Sequence, residues 1–391
     1  MALAQKMRRI FQLPVADAPR LHLLGGEFEA ATVEAAGGNQ TVSVTGIGLD
    51  LWQAARSCVS EGVEFLSQLA PPGRDFITGP PDRTAHGLAP EVVAQLLALS
   101  GFDASRPAAA LRWAEGRSVS GDVSILVPAA LCYRNIRDRH DPEPRIKLSS
   151  GCGAALTREA ALLHGLLELV ERDAVALWWL GGLPGGLPPG GSEVPAELQD
   201  QLGREASTRV SWLLDITTDL GIPCVASFST GADGRGLACG FAARLGYREA
   251  IRAAVFEMCQ MEVGIYLILL KRQQDGDQAL GDVDRKYLRR AFGFDVGRCA
   301  LLFPSADRVR EAGSRPGEAI APVQALSARL ESRGVDAFWV DLTRAELGFS
   351  SGRALAPALQ SYPSNLVTPR LMRQIAETGG GFGLTSGIEL M

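Results

Sequence analysis

Three stretches of this chain carry one pattern, and that repetition limits the fold more than any other feature. The first reads Gly46-Ile47-Gly48, then Ala54, Ser57, Glu61 and Glu64. The second reads Gly151-Cys152-Gly153, then Ala161, His164, Glu168 and Glu171. The third reads Cys239-Gly240-Phe241-Ala242, then Ala250, Ala253, Glu257 and Gln260. From each alanine the offsets are +3, +7 and +10, which on an α-helix form one nearly straight stripe. Three helices built alike point up to five glutamates at one place, and that arrangement asks for a multivalent cation.

The expected local structure follows. A strand over 41–45 enters a helix over 50–69. Short strands are expected at 110–113, 124–127 and 131–133, with a short helix over 90–99. A long helix spans 157–180 and stops at Gly181-Gly182. A helical stretch covers 196–220, then a hairpin turns at Gly231-Ala232-Asp233-Gly234 and leads to the third repeat helix from 247 into 270. Beyond it come an acidic loop (275–284), a helix (323–332) and a strand (337–342). The glycine-rich tail from 379 is expected to be flexible or to order only against the rest of the protein. Short strands alternating with long helices, and a hairpin, make this an α+β protein. Residues 1–40 read as an N-terminal lead-in and 41–391 as one domain, built of three quasi-repeated strand–turn–helix units around one centre. The unit spacing is too long for a short-period solenoid.

Composition narrows the classes. With 46% hydrophobic and 21% charged residues the chain is globular, and a net charge of −5 offers no broad basic face for nucleic acid. Seven cysteines without a CxxC pair suit buried thiols in a reducing compartment. With no signal-peptide core and no uninterrupted apolar run of spanning length, a cytoplasmic protein without a membrane segment is expected.

A lone Glu-x-x-Glu pair is ordinarily a solvated helix face. Glu168 and Glu171 differ, because leucine, valine, alanine and tryptophan surround them on nearly every side. Two carboxylates about 5 Å apart repel by about 3 kcal/mol at an effective dielectric near ~20, so a cluster requires protons, arginines or metal. Arg172 neutralises one charge. Mg²⁺ suits the remainder, since it takes hard oxygen ligands and shares them with phosphates; a purely structural ion-pair network is the competing reading. The Gly-x-Gly pairs are expected to present bare N–H groups to an anion beside a helix start. There is no Walker Gly-Lys-Ser/Thr, HExxH or Gly-x-Ser-x-Gly. His164 reads as a packed core histidine, Trp178-Trp179 and Phe338-Trp339 as core, and the loop 134–140 as exposed.

The second repeat, from Ser149-Ser150-Gly151 through Leu166-Leu167-Glu168-Leu169-Val170-Glu171-Arg172, resembles the signature of the YcaO family. The resemblance extends from about Val42 to Arg370 and includes Ser57/Glu61/Glu64, Trp113-Ala114-Glu115-Gly116, Glu257/Gln260 and Asp341-Leu342-Thr343-Arg344. It implies ATP- and Mg²⁺-dependent activation of backbone amides in a ribosomally made precursor peptide, with azoline-forming cyclodehydration as a subunit of a modifying complex. It further implies metal ligation by Glu61, Glu64, Glu168, Glu171 and Glu257, and nucleotide binding by Ser57, Gly151, Gly153 and Arg172. Implied partners are the precursor peptide, a leader-peptide-binding protein and a flavin-dependent dehydrogenase, in an oligomer or hetero-complex.

The chain departs from the family pattern. Ser150, Ala155, Leu156 and Ala160 stand where Asn, Gly, Asn and Glu are common, and Ala253 where an arginine is common. A proline-rich tail is replaced by Gly387-Ile388-Glu389-Leu390-Met391. These departures keep a second reading open, a YcaO-like scaffold subunit that does not hydrolyse ATP. A third is an unrelated metal-dependent hydrolase using the same glutamates.

Overall fold

A computed structural model describes residues 7–31, 39–79, 88–102, 111–121, 123–136, 143–293, 295–306, 308 and 322–390. Its strands are β1 (Arg9–Leu13), β2 (His22–Ala31), β3 (Asn39–Gly48), β4 (Ile77–Thr78), β5 (Arg112–Ser118) and β6 (Ser124–Pro128). They continue with β7 (Cys152–Ala155), β8 (Val210–Asp215), β9 (Cys224–Thr230), β10 (Ala238–Ala243), β11 (Phe338–Asp341) and β12 (Ser350–Leu355). The helices are α1 (Leu51–Ser67), α2 (Pro90–Leu99), α3 (Arg158–Trp179), α4 (Ala196–Leu202) and α5 (Tyr247–Asp275), then α6 (Asp282–Phe292), α7 (Pro322–Glu331), α8 (Pro369–Thr378) and α9 (Phe382–Thr385).

Three sheets, antiparallel at every pairing described, each carry one repeat helix. The first runs β1-β2-β3 and bears α1. The second runs β4-β5-β11-β12-β7, with β6 beside β5, and bears α3 on β7 and β12. The third runs β10-β9-β8 and bears α5 on β10 and β9. The α+β expectation therefore holds, repeat by repeat. Asp50 caps α1 through Gln53 N, and Thr157 caps α3 through Ala160 N, so each helix starts within two residues of its predicted place.

Packing explains the strand glycines. A Cβ on Gly46 would lie 2.1 Å from Cys58 N, and one on Gly153 2.1 Å from Ala161 O. In the third unit the tight contact falls one turn further along, where a Cβ on Gly240 would lie 2.1 Å from Ala254 O. Strand and helix backbones touch at these points, and no side chain fits between them. The anion-cradle expectation for Gly46, Gly48 and Gly153 therefore changes. All three lie within strands, paired with Leu24, His22 and Gly352, and their missing side chains admit the helix.

Helix α3 is the central element. Its buried residues surround the axis, and Trp178 and Trp179 are fully buried with ring centroids 4.9 Å apart, Trp178 lying 5.8 Å from Phe228 of β9. Phe338 and Trp339 are also core. Asp173, wholly buried on α3, accepts from Arg370 Nε and Gln360 N at 2.9 Å each, tying the helix to the later chain. All seven cysteines are free and buried.

Several local expectations fail, each because tertiary pairing overrides local pattern. Residues 9–31, read as lead-in, form two strands, and position 40 falls inside β3. The helix over 196–220 ends at Leu202, because residues 210–215 are drawn into pairing with β9. The strand expected at 131–133 begins as a 3-10 turn, Ala129–Leu131, and α6 follows the acidic loop unforeseen. The tail, by contrast, takes the second of its two expected states and orders against the core: Trp179 Nε1 donates to Ile388 O at 2.6 Å, and Leu390 is wholly buried. Of the loop 134–140, Arg134 stacks on Phe65 and donates to Gln68 Oε1, while residues 137–140 lie outside the described residues. By length and composition α5 is apolar enough to cross a membrane, yet it packs on β9 and β10, and its Glu262 is buried between Arg204 and Arg209.

Backbone contact predicts opposite signs for two glycine substitutions. Gly46→Ala should destabilise by about 1–3 kcal/mol through overpacking. Gly264→Ala, on α5 with nothing near its missing Cβ, should stabilise by about 0.4–1 kcal/mol. Urea unfolding of the two variants checks both.

Candidate functional site

The three stripes meet, and hydrogen bonds show how. Each +7 glutamate reaches back to an amide of its own unit. Glu61 Oε2 accepts from Thr45 N at 2.8 Å, Glu257 Oε2 from Phe241 N at 2.8 Å, and Glu168 Oε2 from Gly151 N at 3.0 Å. Thr45 and Phe241 occupy the same place, directly before Gly46 and Ala242. Two +10 residues cross between units instead. Glu64 Oε1 accepts from Ala154 N of β7 at 3.0 Å, and Gln260 Nε2 donates to Thr45 Oγ1 of β3 at 2.7 Å. The first unit is thereby fastened to the second, and the third to the first.

Charge binds the centre together further. Arg172 Nη2 lies 3.0 Å from Glu168 Oε1, and Nη1 lies 3.6 Å from Glu171 Oε1. Burial works against the guanidinium charge, but Glu171, Glu168 and Glu257 hold its pKa above the ordinary value. Burial pushes Glu64 well above the usual carboxylate range, and repulsion from Glu168 and Glu61 adds to it against the Ala154 hydrogen bond. Burial raises Glu171 to about 8, with Arg172 opposing and Glu257 and Glu168 reinforcing. Glu257 is raised by burial against Arg172 and the Phe241 amide. Glu61 is exposed at the edge of the cluster, yet the protein around it raises its carboxyl against two hydrogen bonds from Thr45. The five predicted carboxylates thus form a chain of electrostatic neighbours, Glu61 with Glu64, Glu64 with Glu168, and Glu168 with Glu171 and Glu257.

The donor set is hard oxygen only, which fits Mg²⁺. Its carboxylates do not form a closed cage: among the described residues, no three His, Cys, Asp or Glu side chains group tightly enough to hold one ion. Glu61, Glu64 and Glu257 each have one oxygen engaged by a backbone amide, and Glu168 has both engaged. Such a set supplies few ligands per ion and leaves places for water and phosphate, the usual habit of Mg²⁺.

The remaining predicted residues are placed as follows. Ser57 is exposed on α1, one turn before Glu61. Gly151 has φ +80°, and its N–H is taken by Glu168, so it orients a carboxylate. Arg353, wholly buried on β12, donates to the carbonyls of Leu148 and Lys147 and fastens the turn before Gly151. His164, expected in the core, is exposed; surrounding protein, then Arg244 and Arg56, lower its pKa. Ala253 offers no charge, and Arg244, just after β10, instead sends positive field onto Glu171 and Glu257. Leu156 is 69% exposed.

A cavity of about 210 Å³ adjoins Arg172 and Glu257. A larger one of about 680 Å³ lies on the six-stranded sheet between Glu115, Arg117 and Asp341 and includes none of the predicted site residues. Sequence reasoning missed Thr45, whose place before Gly46 was a usable signal, and Arg290, whose helix gave none.

The raised carboxyls set a pH dependence. Their folded pKa values exceed the unfolded ones, so the metal-free chain loses stability from these groups as pH rises from about 4.5 through about 8. A cation that binds the ionised forms opposes that loss. Mg²⁺ should therefore raise the melting temperature more at pH 8 than at pH 6, as scanning calorimetry would show.

Comparison with known proteins identifies the family and the fold. The model of the YcaO cyclodehydratase family, described as ATP- and Mg²⁺-binding, matches residues 45–360. A curated relative from Rhizobium leguminosarum bv. trifolii, an uncharacterized protein in the tfuA 3' region, is 35% identical over 125 residues, which cover 30% of this chain and 28% of the relative. A heterocyclase in complex with substrate and cofactor has a similar fold, with TM-score 0.74 and 22% identity over 96% of this chain and 52% of its own. YcaO from Methanopyrus kandleri, bound with AMPPCP and Mg²⁺, has TM-score 0.59 and 21% identity over 92% of this chain and 88% of its own. The E. coli microcin synthetase McbBCD complex with pro-MccB17 bound contains a chain with TM-score 0.63 and 12% identity, over 90% and 88%. This chain thus spans about half the length of the heterocyclase and matches under a third of the curated relative. Since the family model covers most of its length, from the first carboxylate helix to the last sheet strand, the chain belongs to the YcaO family of ATP- and Mg²⁺-binding cyclodehydratases.

Proposed function

We propose that this chain activates backbone amides of a ribosomally synthesised precursor peptide, using ATP and Mg²⁺, and closes azoline rings as a subunit of a cytoplasmic modifying complex. The observation that carries this reading is the interlocked carboxylate centre, in which three helices bring five glutamates into a chain of electrostatic neighbours with the half-buried Arg172 among them. Held there by these glutamates and Arg172, Mg-ATP would supply the phosphoryl group that makes an amide oxygen a good leaving group, with ADP released.

The chain's own residues hold and orient. Glu61, Glu64, Glu168, Glu171 and Glu257 supply the oxygen ligands, each aimed by a backbone amide or by Arg172. Arg172, clamped by Glu168 and Glu171, keeps its charge while facing the cavity and is poised for a phosphoryl oxygen. Ser57, exposed beside Glu61, and the turn at Gly151 border the nucleotide. The partners proposed are the precursor peptide, a leader-peptide-binding protein and, where azoles are the product, a flavin-dependent dehydrogenase.

Ala253 favours a second reading. A half-buried alanine one turn before Glu257 removes a cation where the family commonly has arginine, as in a scaffold subunit that does not hydrolyse ATP. One experiment separates the two. With its genomic partners and precursor peptide, the wild-type chain should consume ATP in step with the loss of one water per ring, followed by mass spectrometry. The double variant Glu168→Gln, Glu171→Gln should do neither, while melting within a few degrees of wild type. Full modification by that variant would overturn the enzymatic reading and leave the scaffold.

A further inference from the structure

The cavity of about 210 Å³ beside the carboxylate centre carries the opposite charge. Lys147, Ser149, Arg172, Glu257, Tyr287 and Arg290 line it, and Leu390 closes one side. Arg290 comes from α6, outside all three repeats, and is only 4% exposed. Its Nη1 donates to Leu390 O, while Nε and Nη2 have no hydrogen-bond partner among the described residues. The guanidinium carbon lies 4.3 Å from the Tyr287 ring centroid, so the ring supports one face of the fork. Buried charged donors without partners are strongly unfavourable, and a ligand that completes them relieves the cost.

The surroundings favour an anion. Lys286, on the same helix as Arg290, is paired with Glu389 at 2.5 Å. Arg172 is shared between Glu168 and Glu171. Glu257 has one oxygen on the Phe241 amide. Lys147 and Arg290 form no ion pair among the described residues and supply the positive charge of the cavity beside Glu257. The Lys147 ammonium is pushed below its ordinary pKa by burial first, and then by repulsion from Lys286, Arg172 and Arg290, against the pull of Glu389. The segment 387–390 keeps Arg290 in place, since Leu390 N donates to Tyr362 Oη at 3.1 Å and Ile388 O accepts from Trp179.

We propose that this cavity binds a phosphate-class anion, with Arg290 as its principal ligand through the two free donors of its fork and Lys147 as a second cation at the rim. A forked, stacked guanidinium matches a phosphate edge better than a lone ammonium does. The shared chemistry covers inorganic phosphate and the terminal phosphate of a nucleotide. The inorganic-phosphate arm stands on this geometry alone, and the nucleotide arm rests on the function proposed above.

Titration calorimetry of the full chain with inorganic phosphate, and separately with a Mg²⁺-bound non-hydrolysable ATP analogue, tests it. Wild type should bind one phosphate. Arg290→Met should weaken that affinity about tenfold or more, the loss typical of a charge-assisted hydrogen bond. Arg290→Lys keeps charge and a donor for Leu390, and should weaken it less. Lys147→Met, at the rim of the cavity, should weaken it severalfold without moving the melting temperature. Should Arg290→Met fail to fold, the lysine variant and Lys147→Met decide. A parallel loss of analogue affinity identifies the occupant as a nucleotide phosphate; a loss for inorganic phosphate alone identifies it as free phosphate. No phosphate binding by wild type, or equal binding by Lys147→Met and the folded Arg290 variants, overturns the proposal. Analogue binding that needs Glu168 but not Arg290 overturns the cavity and leaves the function standing. Arg290-dependent phosphate binding with no analogue binding does the reverse.

Discussion

The rest of this structure depends on three places where a helix backbone rests directly on a strand backbone. At Gly46, Gly153 and Gly240 an added Cβ would sit about 2.1 Å from a helix main-chain atom. At that separation a carboxylate further along the helix can reach the amide of the same unit, as Glu61 reaches Thr45 and Glu257 reaches Phe241. A side chain in the gap would lift each helix away and break these bonds. Close packing, which in most folds only adds stability, here sets where the negative charge points.

Gathering that charge is unfavourable by itself, and the fold answers in several ways. Backbone amides take one oxygen from each of Glu61, Glu64, Glu168 and Glu257, and Arg172 neutralises part of the remainder. Glu171 stays raised to about 8 even so, mainly because it is buried. The scaffold that holds these groups is correspondingly firm. Helix α3 is buried on nearly all sides, its Asp173 is locked by Arg370, and Arg353 pins the turn before Gly151. Like charges are thus held together by contacts that do not themselves involve the site, the arrangement expected where binding a cation is part of the function.

Much of the site was legible because its elements are periodic. The +7 and +10 glutamates could be read from spacing, since a helix places such residues on one face whatever surrounds it. The α+β class followed from strand–turn–helix units repeated three times. The glycines were visible but their purpose was not. Gly-x-Gly before a helix reads equally as a phosphate cradle or a packing gap, and only strand pairing with Leu24, His22 and Gly352 separated the two. Residues 210–215 looked helical because Val210, Leu213 and Leu214 suit either state, and pairing with β9 decided for strand. Arg290 was one of several basic residues in a charged run, with nothing local to mark it.

The sequence by itself determined three amphipathic stripes, their order of small residue then carboxylates, and the arginine beside the second pair. Those are properties of one helix at a time, set by its 3.6-residue period. Only the tertiary structure decided that the stripes face one another, that Glu64 crosses to Ala154 and Gln260 to Thr45, and that Arg290 arrives from a separate helix at a cavity shared with Glu257. The two hydrogen bonds join residues 90 and 215 positions apart, and they exist because one apolar cluster binds the second sheet to the third and another binds the third to the first, not because of any local preference of the chain.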